Sequence, residues 1–231
     1  MSGPIDLIIW FLGTAFELLF VVCSIARKSF LRYFFLNFYL LLSTTVSIGR
    51  FFILSSYGQS SDQYRYFYFY SDALLTLALF VALISLYSHV LGELSAGEYV
   101  KWGAVFLLLG TAGFSYVVVA QSTERLATSF AFELSQNLYF VGLVLTYILW
   151  GAVLKLRETR TRLVQIILSL GLYFSAYAAS YALLNFSGKF SMMRYICPAL
   201  GCFLPLSWSL TMLRYTEESR LAPAHLVAVP R

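Results

Sequence analysis

The sequence predicts an all-α fold: a polytopic membrane bundle of seven transmembrane helices in one domain. The first observation is composition, because 60% of the 231 residues are hydrophobic and 12% are charged, whereas a soluble domain carries about 25% charged residues. The second is that the apolar residues fall into seven runs, each near the roughly 20 residues needed to cross a bilayer. The third is an aromatic content of 18%, which suits membrane interfaces.

The seven predicted spans fill residues 1–214, and residues 215–231 form a short cytoplasmic tail. The runs lack the alternating apolar and polar residues of a membrane barrel strand, so they are assigned as helices. In chain order, the predicted spans are Pro4–Ala26, Tyr33–Tyr57, Phe67–Leu91, Val100–Ala120, Thr128–Leu154, Leu163–Asn185 and Met192–Leu213.

Local signals mark several of these boundaries. The first span ends at the basic pair Arg27-Lys28 and has no basic residue before it, so we expect a retained helix and not a cleavable signal peptide. The third span is entered through the aromatic run Tyr64–Tyr70, which suits an interfacial anchor. The fifth span leads into a basic loop, Lys155–Arg162.

Basic residues give the orientation. With the N-terminus outside, eleven lysines and arginines fall in inner segments and four in outer segments. Because cytoplasmic loops carry an excess of Lys and Arg, we expect a cytoplasmic C-terminus and a multi-pass protein of the cytoplasmic (inner) membrane. The same distribution explains the net charge of +5, so the lipid bilayer is an expected partner and nucleic acid is not.

Four ionisable residues are predicted at one depth beneath the outer surface: Arg50, Asp72, Glu133 and Arg194. Counted from the predicted span ends at 1.5 Å per residue, they lie roughly 4–9 Å below that surface. An ionisable residue inside a span is costly and is therefore a candidate functional residue. The two acids and two arginines can neutralise one another, either around a ligand or as structural glue between helices.

Polar neighbours extend these charges into a predicted pocket that opens outward. Gln136 and Asn137 share a helix face with Glu133, and Tyr173 and Tyr177 share a face of the sixth span. We expect a small ligand or ion to bind there. The predicted lining is Arg50, Asp72, Glu133, Gln136, Asn137 and Arg194, with Tyr173 and Tyr177 as walls.

Glu17 is predicted to lie deeper, roughly 18 Å from the outer end of the first span, with no evident partner. It is either protonated, because desolvation disfavours the charged form, or reached by an inward-pointing Arg50. In a transporter it would be a proton or ion relay. Pro198 and Pro205 predict a kinked last helix, which would act as a hinge.

The sequence predicts no cofactor and no metal site, and enzymatic activity is disfavoured. His89 and His225 are its two histidines, whereas haem, zinc and di-iron sites need several His, Cys or carboxylate ligands. Cys23, Cys197 and Cys202 lie within spans, without metal-site or disulfide spacing. The G-x-S-x-G, H-E-x-x-H and G-x-G-x-x-G motifs are missing.

Seven helices alone identify no family, because the last span lacks both the retinal-binding lysine of rhodopsins and the Asn-Pro-x-x-Tyr element of animal receptors. Three features carry a resemblance: the opening Asp6-Leu-Ile-Ile-Trp-Phe-Leu-Gly-Thr-Ala, the basic Arg27-Lys28 loop and the tyrosine-rich entry to the third span. In these the chain resembles uncharacterised seven-helix inner-membrane proteins of the acidobacterial type. The resemblance implies the seven-helix fold and no particular activity.

Three functions fit the pattern, and the first is preferred. A receptor- or sensor-like protein would bind its ligand in the pocket, and a protein partner would dock on the basic loop Lys155–Arg162 or the tail. A small-solute or ion transporter or channel would use the polar faces as a pathway, with Glu17 as the inner relay. A structural subunit would use the charges as glue. Because the inner halves of the second and fifth spans are apolar, an open pore is disfavoured; the oligomeric state stays open.

Overall fold

A computed structural model of the chain describes residues 4–58, 60–91, 97–120, 126–155, 161–187 and 193–216. Throughout these ranges the regular secondary structure is α-helical, and five of the helices are long and apolar enough to cross a membrane. In the described ranges, these findings confirm an all-α fold in which five helices have the length and composition of membrane spans. The seven helices are α1 Pro4–Ala26, α2 Phe34–Tyr57, α3 Asp62–Leu91, α4 Gly97–Ala120, α5 Leu126–Lys155, α6 Thr161–Ser187 and α7 Met193–Arg214.

The helix bounds agree with the predicted spans to within three residues, with one exception. α3 begins at Asp62, five residues before the predicted Phe67, because the tyrosine-rich run is itself helical. Tyr64 stacks near Tyr68 with a centroid separation of 6.2 Å, as i, i+4 neighbours on one helix face do. The predicted interfacial anchor is therefore the first two turns of α3.

The turn between α2 and α3 is set by two small residues. Gly58 has a φ of 79°, a backbone conformation that favours glycine, and donates its backbone N–H to the Leu54 carbonyl at 3.0 Å at the end of α2. The Ser61 hydroxyl then accepts a 3.2 Å hydrogen bond from the Tyr64 N–H, which caps the start of α3. This tight turn places α2 and α3 side by side in opposite directions.

Six helices form a closed ring in the order α1, α2, α3, α5, α6 and α7, with α7 returning to α1. α4 lies outside this ring and packs against α3 and α5. Its position explains why five of its described aromatic and apolar side chains are more than 60% exposed. These are Trp102, Phe106, Leu109, Phe114 and Tyr116. They form a surface suited to lipid.

One end of the bundle is packed with apolar side chains around Trp208. We call it the basic end: it is where α1 and α7 finish, and it carries Arg27, Arg162 and Arg214. The Trp208 ring lies 5.8 Å from Phe20 of α1 and 6.3 Å from Tyr39 of α2, so the tryptophan ties α7 to both helices. Further fully buried residues complete this packing: Leu36, Leu40, Leu83, Leu86, Ile166, Leu170 and Met212.

Candidate functional site

Arg50 and Asp72 form an ion pair between α2 and α3, near the end of the bundle opposite the basic end. An Arg50 guanidinium nitrogen lies 3.8 Å from Asp72 Oδ1, with the two side chains 22% and 26% exposed. The guanidinium also donates 2.9 Å to the Ser71 hydroxyl and 3.2 Å to the Tyr68 carbonyl. Its carbon lies 4.3 Å from the Tyr68 ring centroid, a cation–π distance. Four contacts thus fix the arginine.

The Asp72 carboxylate is the part of this pair that faces the bundle interior. Its interior neighbours on α5 are Ser135 and Tyr139. The Ser135 hydroxyl is buried and lies close enough to the Asp72 carboxylate to act on it as a hydrogen-bond donor. An oxygen with unused hydrogen-bonding capacity beside a carboxylate is chemically suited to a ligand, an ion or a water molecule.

Five tyrosines fill the interior next to Asp72, and we call them the tyrosine cluster: Tyr39, Tyr139, Tyr173, Tyr177 and Tyr181. Tyr139 stacks on Tyr177 with ring centroids 4.6 Å apart and an interplanar angle of 8°. Tyr173 lies 4.7 Å from Tyr177, and its hydroxyl reaches that of Tyr39 from across the ring of helices. The cluster joins α2, α5 and α6 through phenol groups in an otherwise apolar core.

Glu17 lies on the other side of the tyrosine cluster, near the middle of α1. Its carboxylate is buried, with 7% exposure. One oxygen accepts a 2.5 Å hydrogen bond from the Ser43 hydroxyl and the other a 2.9 Å bond from Thr44. The sequence shows no evident partner for Glu17 at its depth in the first span, and the structure supplies Ser43 and Thr44 of α2. Arg50 is held at Asp72, so the alternative in which Arg50 points inward to reach Glu17 is not realised.

The other predicted α5 residues are distributed over two surfaces. Asn137 points toward α4, where its amide donates a 3.0 Å hydrogen bond to the Ser115 hydroxyl. Glu133, four residues earlier, shares that helix face and is half-buried; among the described side chains it does not pair with Arg50. The Gln136 carbonyl oxygen is buried and has no hydrogen-bond partner among the described residues. The side chain of Arg194 lies outside the described residues.

The two prolines of α7 lie within a continuous helix, Met193–Arg214. The helix is attached to α1 through small polar side chains: the Cys202 thiol donates 3.3 Å to the Ile9 carbonyl, and the Ser209 hydroxyl lies 3.3 Å from the Phe16 carbonyl. Ser209 also donates 2.7 Å to the Pro205 carbonyl. The predicted hinge at Pro198 and Pro205 thus lies in a helix that is tied to its neighbour on both sides of Pro205.

Arg162, the last residue of the basic loop that is predicted to bind a protein partner, is not accessible at the surface. Residues 156–160 lie outside the described residues, but Arg162 is buried, with 3% exposure. Its guanidinium donates 2.9 Å to the Ser29 hydroxyl and 2.6 Å to the Tyr215 carbonyl. Arg27 donates 2.9 Å to the Leu213 carbonyl in the same way. Both arginines thus bind the C-terminal end of α7, where a helix favours cations.

Sequence reasoning missed Tyr39, Tyr139 and Ser135, although each was signalled by spacing. Tyr39 precedes Ser43 by four residues, and Ser135 precedes Tyr139 by four, so each pair shares a helix face. Tyrosine belongs to the hydrophobic class in the composition, so Tyr39 and Tyr139 do not stand out within their apolar spans. A search for hydroxyls at i, i+4 would have found both faces.

The assembled groups offer two carboxylates, one guanidinium and a series of phenols, all near the interior of the bundle. Such groups can pair with a small charged or polar molecule, or pass a proton between hydrogen-bonding partners. Among the described residues, no three His, Cys, Asp or Glu side chains are grouped closely enough to hold a metal ion.

Comparison of the chain with protein-family models, with curated proteins and with solved structures found no match. The functional proposal therefore rests on the geometry of Arg50, Asp72, the tyrosine cluster and Glu17.

Proposed function

We propose that this chain is a receptor- or sensor-like protein of the bacterial cytoplasmic membrane that binds a small ligand or ion and catalyses no reaction. In this proposal all seven helices cross the bilayer, with the N-terminus outside and the C-terminus inside. The ligand binds in the outer half, between the Arg50–Asp72 pair and the tyrosine cluster.

The observation that carries this proposal is the placement of the Asp72 carboxylate. It pairs with Arg50 on one side and borders Tyr139 and the buried Ser135 hydroxyl on the other. A charged pair within a membrane bundle is costly, and such residues commonly mark substrate or ion sites.

The packing of the basic end supports binding over an open pathway. Trp208, Phe20 and Leu36 are fully buried there, and they close the space below the tyrosine cluster. A channel would need polar side chains to continue through this level. A ligand entering from the outer side would reach the phenols and meet an apolar floor.

Ligand-induced stabilisation of the purified full chain tests the proposal. The probes are a panel of amino acids, short carboxylates, primary amines, Na⁺, K⁺ and Cl⁻, each added to protein in detergent during thermal unfolding. A ligand at a hundredfold its Kd stabilises the folded state by about 2.7 kcal/mol, so the Tm should rise with at least one probe. Asp72→Asn and Arg50→Gln should abolish that rise.

Tyr116→Phe is the matched control, because Tyr116 lies on the exposed face of α4 and is 64% exposed. It should keep the wild-type response, whereas Tyr173→Phe within the cluster should weaken it. A Tm shift that survives unchanged in Asp72→Asn and Arg50→Gln would place the ligand elsewhere. If Arg50→Leu with Asp72→Leu leaves both assembly and ligand response intact, the pair is structural glue.

A second function is favoured by one specific observation, which is the series of polar groups from Asp72 to Glu17. Tyr139, Tyr173 and Tyr39 lie between the two acids, and chains of this kind relay protons in transporters. In this alternative Glu17 is the inner relay. Proteoliposomes containing a pH-sensitive dye would then show proton flux with the wild type and lose it with Glu17→Gln. A receptor gives no flux with either protein.

A further inference from the structure

A cavity of about 170 Å³ opens at the basic end of the bundle, away from Asp72 and the tyrosine cluster. It lies between α6 and α7 and is lined by Gln165, Ser207, Leu210, Thr211, Arg214 and Tyr215. No lining side chain is acidic. One water molecule occupies about 30 Å³ in the liquid, so the cavity has room for a group of several non-hydrogen atoms.

The polar side chains of this cavity are mostly donors that are not used elsewhere in the described part of the chain. The hydrogen bonds made by Gln165 and Ser207 with described residues involve their backbone carbonyls, which accept from Ser169 and Thr211. Within the same ranges, the Arg214 guanidinium has neither an ion pair nor a hydrogen bond. An amide, a hydroxyl and a guanidinium facing one space form a set suited to an oxyanion.

The carbonyl groups at the end of α7 would ordinarily repel an anion, because a helix C-terminus carries partial negative charge. Here that charge is already compensated. Arg27 donates to the Leu213 carbonyl, and Arg162 donates twice to the Tyr215 carbonyl. With Arg214 added, three guanidinium groups surround the last turn of α7, and the local field favours a negative ligand.

Apolar surface continues directly from the cavity along the outside of α7. Leu210 is 41% exposed and lines the cavity, and Leu213 is 47% exposed one turn further on. A phospholipid whose phosphate enters the cavity could therefore lay its acyl chains on this surface. Basic pockets between transmembrane helices bind lipid headgroups by this combination of charge and apolar contact.

We infer that this cavity binds a phosphate-bearing anion, held by Arg214 with Ser207 and Gln165 as further donors. The phosphate of an anionic phospholipid and free inorganic phosphate share this chemistry. The inference is independent of the ligand proposed at Asp72, since the two sites lie at opposite ends of the bundle.

The test uses the full chain and two separate phosphate sources. In the lipid arm, the protein is placed in phosphatidylcholine nanodiscs with or without phosphatidylglycerol, and native mass spectrometry counts the phosphatidylglycerol retained after release. In the free-ion arm, inorganic phosphate replaces chloride at constant ionic strength in pure phosphatidylcholine, and the Tm is measured. Arg214→Gln should reduce binding by about tenfold, as expected for the loss of one charge-assisted hydrogen bond.

Lys28→Gln is the control for general positive charge, because Lys28 is exposed at the same end and does not line the cavity. Arg214→Lys keeps the charge but loses the planar fork, so it should bind between wild type and Arg214→Gln. Retention of phosphatidylglycerol that depends on Arg214 assigns the source as lipid, and a phosphate-dependent Tm that depends on Arg214 assigns a soluble anion. Equal loss in Lys28→Gln and Arg214→Gln, or no effect in both arms, overturns the inference.

Discussion

The carboxylate of Glu17 shows how a single acid is accommodated in the middle of a membrane helix. Its two oxygens each receive one hydroxyl, from Ser43 and from the next residue, Thr44. Consecutive positions on α2 can both reach α1 because the carboxylate presents two acceptors side by side. A buried polar group without such partners would cost free energy, so the two hydroxyls explain how this residue is tolerated.

Removal of both hydroxyls should destabilise the protein through Glu17. We expect Ser43→Ala with Thr44→Val to lower the free energy of unfolding by about 1–3 kcal/mol, the cost of leaving a buried acceptor unsatisfied. The measurement is unfolding by a denaturing detergent in mixed micelles. In a Glu17→Leu background the same two changes should have little effect, because no carboxylate is left to satisfy.

Thr45→Val is the matched control, since the Thr45 hydroxyl bonds to the Leu41 carbonyl of its own helix on an exposed face. It should be close to neutral in both backgrounds. Equal destabilisation by the double change with and without Glu17 would show that the hydroxyls act on packing and not on the acid.

Between elements, the close contact of α5 with α6 depends on a glycine. A Cβ added at Gly142 would lie 2.7 Å from Cζ of Phe174, a separation at which something must move. Phe174 in turn lies 6.1 Å from both Tyr139 and Tyr173, measured between ring centroids. The glycine therefore lets α6 approach closely enough for the tyrosine cluster to form.

Gly142→Ala should destabilise the bundle by about 1–3 kcal/mol, because overpacking a close-packed contact forces its neighbours to shift. Gly151 lies on the same helix with open space around its Cβ position, so Gly151→Ala should be neutral or slightly stabilising. Phe174→Leu should partly restore Gly142→Ala by shortening the opposing side chain. The measurement is detergent-induced unfolding of Gly142→Ala, Gly151→Ala, Phe174→Leu and the double variant Gly142→Ala with Phe174→Leu. Equal destabilisation by Gly142→Ala and Gly151→Ala would contradict the prediction.

At the scale of the whole molecule, the ring order decides which polar faces meet. α4 lies outside the ring, and α3 therefore packs directly on α5. This contact brings Asp72 toward Ser135 and Tyr139, although α4 separates the two helices in the sequence. The contact of α7 with α1 closes the ring and seals the basic end with Trp208.

The proposed orientation places the basic end in the cytoplasm. A green fluorescent protein fused to the C-terminus should therefore fluoresce in a bacterial host, whereas an alkaline phosphatase fused at the same point should be inactive. The physical basis is the eleven-to-four division of Lys and Arg between the two sides, because cytoplasmic segments carry the excess of basic residues. An active phosphatase with a dark fluorescent fusion would reverse the orientation and place the Arg214 cavity outside.

The sequence by itself determined the helices and, except for the start of α3, their bounds to within three residues, because hydropathy and span length are local properties of the chain. It also identified Arg50 and Asp72 as residues at one depth, and the structure pairs them. Only the tertiary structure decided which side chains bind Glu17, that the Asn137 side chain points toward α4, and that five tyrosines pack together. Those depend on the order of helices around the ring and on the rotation of each about its axis. Neither is set by hydropathy, because lipid and protein neighbours are equally apolar.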